Sequence, residues 1–492
     1  MIRKIALGLL ALLGLLVAAL LVNTYRKSSQ QVRVEPIEQP AVDAEAAARH
    51  LSGAIRFRTV SFEDGSGSSR DELLRLQDFL VHQYPRAHAA LKRETVGGLS
   101  LLYTWAGTDP AAKPIMLMAH QDVVPVAPGT EKDWAAEPFA GTVRDGFVWG
   151  RGAWDDKSNL IAILEAVEQL AGQGFRPRAT VYLAFGHDEE VGGGQGAARI
   201  AELLKARGVK LSFVMDEGLL ITEGVLGGLD RPAALIGIAE KGYLNLRLQA
   251  AADGGHSSMP APRTAIGALS SALAALERHP MPARISGVAA QTLEALAPEM
   301  HGVSRVLLSN LWLAAPAVER QFEKSASTNA MLRTTTALTV FQAGNKANVI
   351  PGRAEALVNF RLLPGDSAEA VIAHVRSVVG DAGVTVERAP GAFVEASPVS
   401  SVDSSGYRFI ERTIREVFPG TLVVPGLMLG ATDSRHMAGV AEQTFRFSPV
   451  RAAPQDLSRF HGTNERISVR NLQEMVAFYR RLLAAASAGP AR

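Results

Sequence analysis

The sequence predicts an α/β fold built on a mainly parallel sheet, with a smaller α+β module inserted into it. Two observations carry this prediction. Apolar, strand-like runs alternate with helical patterns across residues 114–119, 157–170, 179–185, 196–207 and 211–215, the rhythm of a parallel sheet covered by crossover helices. Near Lys241 the pattern changes: residues 243–248 alternate like a half-exposed antiparallel strand, a similar strand lies at 354–362, and the long stretch between is largely helical.

A chain of 492 residues, 47% of them hydrophobic, can bury a large core and divides more readily into two or more domains than into one. The formal net charge of +2 leaves no basic excess, so nucleic acid is set aside as a partner. There is no cysteine, which excludes disulfides, thiolate metal sites and a cysteine nucleophile. Any metal must be held by His, Asp and Glu.

Residues 5–22 form an unbroken apolar run, preceded by Arg3 and Lys4 and followed by Asn23, Tyr25, Arg26 and Lys27. Eighteen residues of helix span about 27 Å, close to the hydrocarbon thickness of a bilayer. The run exceeds a usual signal-peptide core, and no small-x-small cleavage site ends it. It reads as a single-pass N-terminal membrane anchor over residues 1–27, with the short basic tail cytoplasmic and the rest extracytoplasmic, on a periplasmic or luminal side. Residues 28–42 are polar, contain Pro36 and Pro40, and read as a tether. The expected division beyond it is a catalytic domain over 43–240 and 364–492, interrupted by the inserted module at 241–363. There is no internal repeat and no low-complexity tract.

Chemistry collects at strand ends in such sheets. The first cluster is His120-Gln-Asp122 at the end of an apolar strand. His120 can coordinate a metal while Asp122 accepts its other ring N–H; an ordinary strand-end turn is the alternative. The second is Trp149-Gly-Arg-Gly-Ala-Trp-Asp155-Asp156 before a helix, where Asp155 can face a cleft or simply cap the helix. The third, Gly186-His-Asp-Glu189-Glu190, sets carboxylates side by side, which repel unless a cation neutralises them or solvent surrounds them. Asp216 ends a further strand, and His461 lies in a late Phe-His-Gly-Thr-Asn-Glu-Arg segment. The signal is the set. Two histidines and three carboxylates suit two divalent ions, zinc first for mixed nitrogen and oxygen ligation, with cobalt or manganese able to substitute.

In their order along the chain these motifs resemble the co-catalytic zinc metallopeptidase family that includes carboxypeptidase S, aminoacylase, glutamate carboxypeptidase and succinyl-diaminopimelate desuccinylase. The segments around Glu189, Asp216 and His461 look closest to the carboxypeptidase S branch, which also contains enzymes of N-fatty-acyl amino acids. The resemblance implies that His120 and Asp216 hold one zinc, Glu190 and His461 the other, and Asp155 bridges them. Some members carry Glu where Asp216 stands. Asp122 would orient His120, and Glu189 would be the general base, moving a proton from water to the leaving amine.

The inserted module matches that family's lid, which mediates homodimerisation in other members. The resemblance implies that His256 in Gly-His-Ser-Ser-Met-Pro stabilises the oxyanion, in some members from the neighbouring subunit, and that Asn348 and Arg361 anchor substrate. An arginine suits a bidentate grip on a free carboxylate; a solvated strand residue is the alternative. Asp433 and Arg435 resemble another motif near the site, without an assigned role. The activity implied is hydrolysis of an N-acyl amino acid or a short peptide beside a free carboxylate, without a covalent intermediate. Deacylation of another N-acylated metabolite and an inactive scaffold of the same fold are the rivals. The apolar segment 306–316 fits either a lipophilic acyl pocket or a helix packed in the lid's core.

Overall fold

A computed structural model describes residues 1–37, 42–62, 69–380, 382–391 and 393–486. Positions 38–41 of the expected tether lie outside the described residues. Helix α1 (Ile2–Arg26) leads into an extended segment and then α2 (Ala44–Ile55), α3 (Arg70–Gln83) and α4 (Pro85–Ala90). The strands β1 (Lys92–Val96), β2 (Ser100–Trp105) and β3 (Ile115–His120) follow, then the hairpin β4 (Thr142–Arg144) and β5 (Phe147–Trp149). Next come α5 (Lys157–Gly172), β6 (Val181–Gly186), α6 (Ala197–Ala206), β7 (Phe213–Thr222) and β8 (Ala233–Glu240).

The inserted part comprises β9 (Gly242–Ala251), β10 (Gly255–His256), α7 (Ala265–Arg278), α8 (Gly287–Leu296), α9 (Gly302–Ser309), α10 (Leu311–Phe322) and α11 (Ala326–Leu332). It continues through β11 (Thr335–Ala343), β12 (Val349–Ile350), β13 (Arg353–Leu362), α12 (Ala368–Val379) and β14 (Val384–Arg388). The chain closes with α13 (Ser405–Val417), β15 (Leu422–Met428), β16 (Thr444–Ala452), β17 (Arg466–Ser468) and α14 (Val469–Ala486).

Eight strands form the main sheet in the order β1-β2-β6-β3-β7-β16-β8-β15. Its centre is parallel, β3 pairing with β6 and β7, and β7 with β16. Every residue of β3 is buried, as expected for a strand covered on both faces. Helix α5 supplies one cover, packing Leu160, Ile161, Leu164 and Val167 into the largest core cluster, while α6 covers the other face through Ile200 and Leu204.

The lid is a four-stranded antiparallel sheet, β11-β13-β9-β14, backed by α7 and α12 through Leu269, Leu276, Val371 and Val375. Its limits differ from the sequence expectation in two ways. The lid core includes α12 and Val386 of β14, so the chain leaves it after 388 rather than at 364, because β14 pairs with β9 across the expected boundary. In addition, helices α8 to α10 leave the lid sheet: α8 packs on β15 at the main sheet's edge, and α9 and α10 extend the cluster in which Leu293, Leu296, Met300, Leu308 and Val318 group with Val424 of β15. The expected tether is docked as well: the Gln31 side chain donates to Val423 O and accepts from Val423 N, at 2.8 and 2.7 Å. It satisfies the open edge of β15 as a neighbouring strand would.

Candidate metal centre

Segments far apart in sequence meet at the carboxyl ends of β3, β6 and β7. His120 is the last residue of β3, and Glu189 and Glu190 open a single turn two residues beyond β6. Asp155 arrives on the loop before α5 and His461 on the loop before β17. Nε2 of His120 lies 2.9 Å from Oδ1 of Asp155, and Nε2 of His461 lies 2.7 Å from Oδ2 of the same carboxylate. Glu190 stands 3.5 Å from Nε2 of His461. Asp155 is thus shared between two imidazoles, and the helix N-cap is its neighbour Asp156.

The expected ligand Asp216 does not join this group. Its carboxylate accepts from the backbone N–H of Glu217 and of Ser434, at 2.9 and 2.7 Å. Glu217 instead reaches within 3.5 Å of Nε2 of His120. Successive strand residues face opposite sides, so one of the pair points into the centre and the other away. The sequence reading named Asp216 and not Glu217, because both acids stand at the same strand end and only their pairing with the sheet separates them.

A buried ion pair holds the two loops in register. Glu465 accepts from the backbone N–H of Gly152, Trp154 and Asp155, at 3.0, 2.8 and 3.1 Å, and from Arg151 Nη1 at 2.5 Å. The other arm of Arg151 donates to the carbonyls of His461 and Gly462. His461 has a left-handed backbone, φ +56°, uncommon for a residue with a side chain and held only where surroundings enforce it. Asp122 performs a similar service for the other loop. Its carboxylate accepts from Ser61 Oγ and from the N–H of Glu189 and Glu190, and one oxygen lies 3.4 Å from Nδ1 of His120.

Charge and spacing both fit bound cations. Burial, and then Asp155 nearby, push the Glu190 carboxyl up to about 8. The same causes in the same order raise Glu217 well above the ordinary range, and burial foremost raises Glu189. Among the described residues no lysine or arginine forms an ion pair with Asp155, Glu189, Glu190 or Glu217. His120, Asp155 and Glu190 offer ligand atoms within 4.8 Å of one another, and so do His120, Asp156 and Glu217. Ligands of one tetrahedral ion lie about 3.4 Å apart, within the spread of these contacts.

The model of peptidase family M20/M25/M40 matches residues 116–485. The chain belongs to peptidase family M20/M25/M40. It is a hydrolase, as its similar family members are. This M20 chain is 38% identical to the probable carboxypeptidase S-like 2 of Dictyostelium discoideum, over 98% of its own length and 93% of the relative's. It is 43% identical to the mouse N-fatty-acyl-amino acid synthase/hydrolase PM20D1, covering 87% and 85% of the two chains. Carboxypeptidase S of Saccharomyces cerevisiae is 31% identical over 87% and 82%. Among solved structures, the M20 metallo-carboxypeptidase Sso-CP2 of Sulfolobus solfataricus superposes with a TM-score of 0.65 at 18% identity, over 90% of this chain and 99% of that one.

The M20 centre opens into a cavity of about 650 Å³ lined by Asp155, Glu189, Glu190, Glu217 and His461 on one side and by Tyr243, Asn245 and Arg361 of the lid on the other. Arg361 stacks 4.8 Å from the Tyr243 ring centroid, pairs with no acid among the described residues, and is shifted down by burial first. Tyr243 and Asn245 carried no signal in sequence beyond strand alternation.

The lid does not bring all its expected residues here. His256 and Asn348 are exposed beside the short β10–β12 ladder, outside the cavity lining. Arg361 and Tyr243 pair at one end of β9–β13, Arg353 and Ala251 at the other, so about 27 Å of strand separates Arg361 from the His256 end. Asp433 is buried with both carboxylate oxygens unpartnered, and Arg435 lines the cavity while donating to Gly192 O. Segment 306–316 is absent from the cavity lining; its helices α9 and α10 pack on each other, and α9 packs on α8 and on the turn at 297–299.

Proposed function

We propose that this chain is a two-zinc amidohydrolase that cleaves the amide of N-acyl amino acids or short peptides beside a free carboxylate. The observation that carries the proposal is Arg361, without an acidic partner among the described residues, facing the acidic cluster across one cavity. A half-buried guanidinium without a counter-charge among the described residues suits a substrate carboxylate, and the named activities of similar proteins, carboxypeptidase S and N-fatty-acyl-amino acid synthase/hydrolase, supply the bond class.

In this reading His120 and Glu217 hold one ion, Glu190 and His461 the other, and Asp155 both. Bound there, the two ions supply Lewis acidity that acidifies water and polarises the scissile carbonyl. Glu189 accepts the proton of the attacking water and returns it to the amine nitrogen as the C–N bond breaks. Arg361 and Tyr243 orient the carboxylate end. His256 donates to the oxyanion from a second copy of the chain, because its own lid holds it at the far end of the strand ladder. The dimer forms along β11, the lid's edge strand, where Leu338, Val340 and Phe341 are exposed. Helix α1 anchors the enzyme in a membrane, with the catalytic body on the extracytoplasmic side.

The test is release of amine from a panel of N-acyl amino acids and dipeptides by the full chain, before and after chelation and after zinc is restored. Carboxylate-bearing substrates should be cleaved in a chelator-sensitive, zinc-restored manner, and their carboxamide analogues should not. No release by the metal-loaded chain, or equal release of the carboxamides, would overturn the assignment.

A further inference from the structure

The last turn of α1 does not hang free of the body. Asn23 Nδ2 donates to Ser309 O and to Asn310 Oδ1, at 2.8 and 3.0 Å. Asn310 Nδ2 donates to Leu20 O and Thr24 Oγ1, at 3.2 and 3.1 Å. The turn between α9 and α10 is therefore bound at the level of Leu20 to Thr24. Leu20 lies two residues inside the apolar run, about 3 Å short of its end at Val22. A body fixed at that level reaches the bilayer interface if α1 spans the bilayer.

What it presents there is apolar. On α9, Val303 and Leu307 are exposed one turn apart; on α10, Trp312 and Leu313 are exposed, with Pro316 and Ala317 one turn further on. Trp312 is 66% exposed, yet its indole N–H donates to Asn310 Oδ1 at 3.3 Å, the oxygen that also accepts from Asn23. The ring is thus beside the membrane-proximal end of α1. Tyr25, 89% exposed, stands in that same last turn, and Arg305 Nη2 donates to Lys27 O at 3.4 Å, next to Arg26. Exposed aromatic and aliphatic side chains bordered by cations have the composition of a surface seated among lipid headgroups. No other role in the fold uses these side chains: the cavity does not include them, and the buried faces of the same helices are spent on the cluster that α8 sets against β15.

We infer that the α9–α10 face is a second membrane contact, lying in the interfacial layer of the bilayer that α1 enters and holding the catalytic body against its surface. The inference rests on the reading of α1 as a membrane anchor. With Gln31 locked onto the edge of β15, the body has two attachments near the membrane, so it rides at a fixed height rather than on a loose tether.

The chain has no cysteine, so single substitutions carry one fluorescent label each. The full chain with Leu10→Cys, Val303→Cys, Trp312→Cys, Leu313→Cys or Thr95→Cys is reconstituted into phosphatidylcholine vesicles with a quarter phosphatidylglycerol and titrated with nitroxide lipids. Leu10 reports α1; exposed Thr95 lies on β1, at the opposite edge of the main sheet from β15. The expected result is quenching at Leu10 by deep nitroxides and, at Val303, Trp312 and Leu313, quenching by shallow nitroxides at least about twofold stronger than at Thr95. Val303 and Leu313 keep the test valid should Trp312→Cys disturb the junction. Quenching at Leu10 with the three α9–α10 positions behaving like Thr95 would sink this inference and leave the anchor standing. An unquenched Leu10 would remove the anchor and the inference with it. Labels at α9–α10 shielded from aqueous iodide but untouched by nitroxide lipids would mean that protein covers the face, which also overturns it.

Discussion

Nε2 of His461 lies 2.7 Å from Oδ2 of Asp155, although 306 residues separate them in sequence. Neither residue could hold that place alone. His461 sits on a loop with a left-handed backbone and Asp155 on one rich in glycine; the Arg151–Glu465 pair, buried at both ends, ties the two loops together. The proposed centre then depends on a contact that includes none of its proposed ligands.

Glu465→Gln should accordingly behave as a structural lesion with a catalytic readout. Removing one partner of a buried, hydrogen-bonded ion pair costs about 3 to 5 kcal/mol, because the guanidinium of Arg151 is left without its counter-charge. Denaturant unfolding should show a loss of that order, and metal analysis should show incomplete loading. An unchanged midpoint with full loading would refute the loop-tying role.

Glu217→Gln and Asp216→Asn separate two adjacent acids. If Glu217 is the ligand, its amide variant loses about one bound ion per chain and most turnover, since an amide is a weak ligand for zinc. Asp216→Asn should keep two ions and show a smaller rate loss from its contact with Ser434. The reverse pattern in metal stoichiometry would restore Asp216 as the ligand.

Metal loading should be strongly linked to pH. The Glu190 carboxyl, raised from 4.5 to about 8, holds a proton in the folded metal-free chain where the unfolded chain has shed it. That group therefore favours the metal-free fold at low pH, and its contribution is lost as pH rises through this window. Bound metal requires the carboxylate and displaces the proton. Calorimetry in buffers of different ionisation enthalpy should show proton release on zinc binding below about pH 8, and the Tm gap between zinc-loaded and chelated chain should widen as pH rises. A pH-independent gap would contradict it.

Arg361→Ala should raise KM for N-acyl amino acids by about 10- to 100-fold, the equivalent of roughly 1.5 to 3 kcal/mol for hydrogen bonds to a charged group, with kcat changed far less. Arg361→Lys should recover part of the loss, having charge without the planar fork. Equal effects on carboxylate and carboxamide substrates would show that Arg361 shapes the cavity rather than gripping an anion.

Mixing two inactive variants tests the shared site. Glu189→Gln and His256→Ala dimers, each inactive alone, should regain about a quarter of wild-type sites after subunit exchange, because half the dimers are mixed and each carries one complete site. Failure to regain activity in demonstrably mixed dimers would place the oxyanion donor elsewhere.

The sequence by itself determined the parallel sheet, since runs such as Ile115–His120 are too apolar for a one-sided strand, and it determined that His, Asp and Glu gather at the strand ends. It also determined the apolar length of α1. What it could not decide were choices between neighbours and between distant surfaces. Whether Asp216 or Glu217 enters the centre depends on which face of β7 meets His120, a matter of pairing with β3. Whether Arg361 and His256 share one cavity depends on the length of the β9–β13 ladder, which carries them to opposite ends. Where α9 and α10 pack was ambiguous because an apolar helix serves equally in a lid core, an acyl pocket or at a sheet edge. Only the tertiary structure, by setting those helices against α8 and beside the end of α1, left their remaining apolar face turned outward.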